Sequence, residues 1–191
     1  MAAIPGLRFT GSPGVVRETL LEAHLRPKVS SGLPMWPTAD GSTSAAPASR
    51  HVPREVSGFQ LVDHVWEALE LPGEAMDYHF VLQDAVSRLW SGRRSYPEGL
   101  ELLEVFAVLD LELMEAAPHA VSFDAGPVPE SFVRVTSVPR LIALLEREGA
   151  LAEALSVARR LARCGQSEDA VARLSERVSA LVAEAEVGGW A

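Results

Sequence analysis

The stretch Pro97-Glu98-Gly99-Leu100-Glu101-Leu102-Leu103-Glu104-Val105-Phe106-Ala107-Val108-Leu109-Asp110-Leu111-Glu112-Leu113-Met114-Glu115-Ala116 reads as one long helix. Pro97 fits a first helical turn, where a missing N–H removes no bond, and Glu98 and Glu101 complement the positive end of the helix dipole. At about 1.5 Å per residue the helix spans about 30 Å. Its apolar residues lie on more than one side of the axis, so the sequence predicts a central, deeply buried element. Glu101 with Glu104, and Glu112 with Glu115, form an acidic edge that calls for solvent or a basic partner. Arg159, Arg160 and Arg163 are candidates for that partner.

Working outward, the helical pattern holds from Ser57 to near the end of the chain. Phe59 to Leu69 carries Leu61, Val62, Val65, Trp66 and Leu69 on one stripe and stops at Pro72-Gly73. Glu74 to Trp90 repeats the pattern and stops at Ser91-Gly92. After Pro118, residues 117–136 read as an interruption, with Phe132 to Thr136 as an extended connector. Ser137 is expected to cap a helix from Arg140 to Glu148 that ends at Gly149. A second helix runs from Leu151 to Arg163, and Ser167-Glu168-Asp169 opens a third. In the third, Val171, Leu174, Val178, Leu181 and Ala185 form a heptad-like packing seam.

Residues 1–57 have a different character. Seven prolines interrupt them, and Thr38 to Ser49 has the composition of a flexible linker. One short helix is expected from Val15 to Leu25, capped by Ser12. Leu33-Pro34-Met35-Trp36-Pro37 breaks the linker composition, because Trp and Met side chains carry apolar area worth burying. The expected organisation is therefore an extended N-terminal arm (1–57) followed by a helical domain (58–191). The fold class is all-α, built from antiparallel helical hairpins.

The 191-residue chain has a net charge of −9, unevenly spread. Residues 1–57 hold six basic and four acidic groups, whereas residues 58–191 hold 11 basic and 22 acidic ones. An acidic body repels a phosphate backbone, so nucleic acid is not an expected partner. No stretch approaches the roughly 18 consecutive apolar residues of a membrane span. The Met1-Ala2-Ala3-Ile4-Pro5-Gly6 start has no charged segment leading into an apolar one, so a cytoplasmic location is expected. The single cysteine, Cys164, rules out an internal disulfide.

Two segments share the punctuation of a known helical hairpin. In Val138 to Gln166, Leu141 precedes Gly149, and Ala154, Ala158 and Leu161 follow it on the inner face of the next helix. Trp90, Tyr96, Gly99, Leu103 and Phe106 fit the same frame more loosely. This pattern resembles the tetratricopeptide repeat, and the resemblance covers about a third of the chain. It implies a TPR-like α-solenoid, or an irregular bundle, that binds another protein along a concave face. On that frame the groove would present Val81, Asp84, Arg88 and Ser91 from the first hairpin, and Thr136, Ala143, Glu146 and Arg147 from the second.

Chemical motifs are sparse. His64 with Glu67, three apart on one helix, and Asp77 with His79 form a set with workable metal-ligand spacing, but ordinary structural or exposed histidines are the favoured reading of it. His51 and His119 read as loop histidines without convergent partners. Cys164 has no adjacent histidine to activate it. The sequence thus assigns no catalytic residue, no metal site and no cofactor. The function expected is a non-catalytic adaptor or accessory subunit that binds another protein through Leu33, Met35 and Trp36 of the arm, or through Asp84, Arg88, Glu146 and Arg147 of the groove. Alternatives are a self-associating homo-oligomer and a metal- or ligand-binding protein using His64 and His79.

Overall fold

The computed structural model describes residues 1–118, Ser122 and 133–187, with side chains through residue 185. His119 and Phe132 fall outside the described residues. The described chain is mostly helical: α1 (Pro47–His51), α2 (Gly58–Glu70), α3 (Ala75–Gly92), α4 (Gly99–Ala116), α5 (Ser137–Arg147), α6 (Leu151–Ala162) and α7 (Glu168–Val187). A small antiparallel sheet precedes them: β1 (Lys28–Ser30), β2 (Leu33–Thr38) and β3 (Gly41–Thr43), in that spatial order.

The all-α expectation holds for most of the chain, and the small sheet is an addition to it. Ser31 and Gly32 both take positive φ (51° and 80°), as a two-residue hairpin turn of type I′ requires, so β1 folds directly back on β2. Residues 33–35 of β2 pair with β1 and residues 36–38 pair with β3. Each half of β2 is therefore paired on one side only, which is where Pro34 and Pro37 do least harm to a ladder. The supposed linker from Thr38 to Ser49 contains β3 and the start of α1 instead. The helix expected from Val15 to Leu25 is one 3-10 turn, Arg17–Thr19.

Nor does the N-terminal segment extend away from the body. Met1, Phe9 and Ala48 join the hydrophobic core, and Ile4, Leu7 and Leu20 pack against it. Met1 donates from its amine to Leu69 O (2.7 Å), Ser12 Oγ to Trp66 O (2.9 Å) and Arg17 Nε to Glu70 O (3.1 Å). The segment thereby supplies donors, and the positive charge of Arg17, to the carbonyl end of α2. Burial is the main reason the Met1 amine is held down to about 5.

In the helical body, α4 packs on α2, α3 and α5, and α6 lies between α5 and α7. Phe106, Leu103 and Leu111 of α4 are fully buried, with Trp66 meeting Phe106 edge-to-face at 4.9 Å. Glu74 and Asp77 form a reciprocal capping box at the start of α3. Between α5 and α6, Gly149 takes φ +79°, and Leu141, Ala154, Ala158 and Leu161 are buried where the two helices meet. Val133–Thr136 has no regular structure. Ser137 does not cap α5 from outside. It is the first helical residue, and its hydroxyl turns inward to Asp110. No helix among the described residues is long and apolar enough to cross a membrane.

Candidate functional site

The N-terminal segment meets α1 and α2 around Leu20, with a shallow hollow on either side. One, of about 380 Å³, is lined by Thr19, Leu20, Leu21, Glu22, Arg50 and His51. The other, of about 490 Å³, includes Thr19, Leu20, Asp63, Trp66 and Glu67. Arg50 grips Glu22 with two contacts of 3.0 Å, which ties α1 to the segment. Ala48 N donates to Pro72 O (3.1 Å), which fixes α1 against the α2–α3 corner.

This packing gathers three ligand-type side chains. His51 Nε2 lies 2.7 Å from Glu67 Oε2, and His64 Nδ1 lies 3.6 Å from the same oxygen. The two imidazoles meet edge-to-face at 5.4 Å. All three side chains are partly open to solvent, yet His64 Nδ1 itself is buried and has no hydrogen-bond partner. The sequence pattern finds two of these three. His64 and Glu67 do share a face of α2, but their companion is His51, not Asp77 or His79. The only sequence signal for His51 is its place beside Val52-Pro53, where a short helix must end.

Asp77 and His79 go to different places. Asp77 serves the α3 capping box and accepts a bond from Ser49 Oγ. His79 is fully buried, and its Nδ1 meets Asp110 Oδ1 at 2.7 Å, while Ser137 Oγ donates to the other Asp110 oxygen. A carboxylate only accepts, so with Asp110 ionised the proton of that pair sits on His79 Nδ1. His79 Nε2 has no partner among the described residues. Cys164 is buried, and burial pushes its thiol pKa up, with Glu115 adding to the rise and Arg163 opposing it.

The groove residues are engaged within the chain. Arg88 donates to Asp84 (3.0 Å), to Pro53 O (2.9 Å) and to Val56 O. Glu146 accepts from Arg173 and Arg177 of α7, and Arg147 lies over the Trp90 ring. On α4's acidic edge, Glu115 accepts from Arg160 of α6 and from Arg163 at the end of that helix. Of the arm residues, Trp36 is 4% exposed and covered by its own chain, whereas Leu33 is 59% exposed and Met35 half-buried. Strand alternation puts Leu33 and Met35 on the face of β2 opposite Trp36. Comparisons with protein-family models, characterised proteins and solved structures find no match for this chain.

Proposed function

We propose that this protein is a non-catalytic interaction module whose N-terminal third presents the surface a partner protein binds. The observation that carries this reading is the exposure of large apolar side chains there: Leu21 is 101% exposed, Val29 79%, Leu33 59% and Val16 56%. Val16 and Leu21 flank the part of the segment packed on the body at Leu20, and Val29 and Leu33 lie on the exposed β1–β2 hairpin. Apolar side chains gathered on one held segment favour association over solvation.

Two further features support a binding role over catalysis. The His79–Asp110 pair is sealed from solvent, and the Cys164 thiol is buried with a raised pKa. Neither group meets a substrate without opening the core. The charged groove residues Arg88 and Glu146 are already held by neighbours in the chain, which favours the N-terminal surface over the groove. Capture of a partner from the native host by the wild-type chain, compared with a Leu21→Asp, Leu33→Asp variant, tests the reading. The substitutions lie on exposed side chains, and circular dichroism verifies that the variant folds.

A further inference from the structure

We propose that His51, His64 and Glu67 form a binding site for a divalent transition-metal ion, zinc being the ion that two imidazoles and a carboxylate suit best. This goes beyond the protein-binding reading and stands independently of it. Three observations carry it. First, the donor atoms converge: one oxygen of Glu67 faces both histidines, at 2.7 and 3.6 Å, and all three donors lie within 4.8 Å of one another. Tetrahedral zinc at bonds of about 2.0–2.1 Å separates its donors by roughly 3.3 Å. Side-chain rotations that shift each donor by about 1 Å bring the set to that spacing, and partly exposed side chains have that freedom.

Second, His64 Nδ1 is buried without a hydrogen-bond partner. Such an atom is uncommon, because burial removes water and nothing replaces it. A cation between His64 and Glu67 would supply the missing interaction. Third, the donors come from elements already fixed in place. His64 and Glu67 sit three apart on α2, and His51 ends α1, which Ala48 and Arg50 hold against the body. An ion there would clamp α1 to α2 at the edge of the hollow that Leu21 borders. With side-chain exposures of 27%, 34% and 37%, the three donors leave a path for the ion and a fourth position open to water. Magnesium and calcium, which prefer all-oxygen shells, do not suit this set.

The test uses untagged full-length protein, stripped with EDTA and titrated with zinc by calorimetry, with magnesium as control. One equivalent of zinc is expected to bind. At about a hundredfold excess over Kd it should raise Tm by about 5 °C or more. His51→Ala, His64→Ala and Glu67→Gln should each weaken binding by about tenfold or more, while His24→Ala, at an exposed histidine that is not a member of the cluster, should leave it unchanged. Cobalt should give visible bands that zinc displaces and that Glu67→Gln abolishes, which keeps the test decisive if an alanine variant fails to fold. A Tm change below about 1 °C at tens of micromolar zinc, or variants that bind as tightly as wild type, would overturn the proposal.

Discussion

Asp110 shows how far one residue's role depends on its neighbours. In a stripe of leucines it looks like a flaw in an apolar helix, but His79 and Ser137 both turn to it at the centre of the body. Removing one partner of a buried polar pair leaves the other unsatisfied, so Asp110→Ala should cost about 3 kcal/mol of unfolding free energy. Urea denaturation measures this, and a loss under about 1 kcal/mol would contradict the network. Tyr78 makes a second residue-scale prediction. Its hydroxyl donates to Leu71 O (2.8 Å), and burial is the main cause that raises its pKa above the ordinary 10.0. The folded state keeps this proton above pH 10 while the unfolded state loses it, so the stabilisation is full below 10 and declines as pH rises beyond it. Wild type should lose more stability than Tyr78→Phe between pH 9 and pH 11. Equal losses would remove Tyr78 from the account.

His51 and the Asp77/His79 pair mark the limits of reading a site from sequence. An i, i+3 spacing places two side chains on one helical face, which is why His64 and Glu67 were legible together. Asp77 and His79 are two apart, so on α3 they point to different sides, one to the helix end and one to the core. His51 joins the site only because α1 docks on α2, and nothing in local spacing encodes that docking.

At the scale of elements, the helices were legible and the sheet was not. Phe59 to Leu69 was expected and Gly58–Glu70 is found. Glu74 to Trp90 was expected and Ala75–Gly92 is found. The apolar period and the breakers Pro72-Gly73 and Ser91-Gly92 set those bounds. Strands of three residues carry no usable period, and β2 holds two prolines, so the hairpins were hidden. The C-terminal seam was legible in its first half: Leu174 is buried and Val171 and Val178 pack against the core, while Leu181 is 52% exposed. Beyond this stripe, α7 relies on Glu146, whose pKa is lowered chiefly by its hydrogen bond from Arg173. A lowered carboxylate pKa stabilises above the ordinary 4.5, and the contribution fades as pH falls below that value. Arg173 and Arg177 are about half exposed, so screening limits the pairs to about 1 kcal/mol together. Glu146→Gln should therefore speed amide exchange in residues 168–178 at pH 7, and the effect should shrink progressively as pH falls below 4.5. Unchanged exchange at pH 7 would show that the stripe alone holds α7.

For the whole molecule, the N-terminal third shapes the account. Composition marked it as an arm, yet Met1 and Phe9 lie in the core and the first seventeen residues are stitched to the end of α2. Such contacts span more than fifty residues of sequence, a separation that local pattern does not encode. The anchored segment covers apolar area of the body while it turns Leu21, Val29 and Leu33 outward. In the proposed function this surface receives a protein partner, and Leu21 borders the same hollow as His51 of the proposed metal site. The most direct measurement is capture from the native host with three baits: wild type, the Leu21→Asp, Leu33→Asp variant, and an Asp84→Ala, Arg147→Ala groove variant. The account predicts a stoichiometric partner held by wild type and the groove variant and lost by the apolar-surface variant. A partner lost only by the groove variant, one held equally by all three, or no partner on any bait would contradict it.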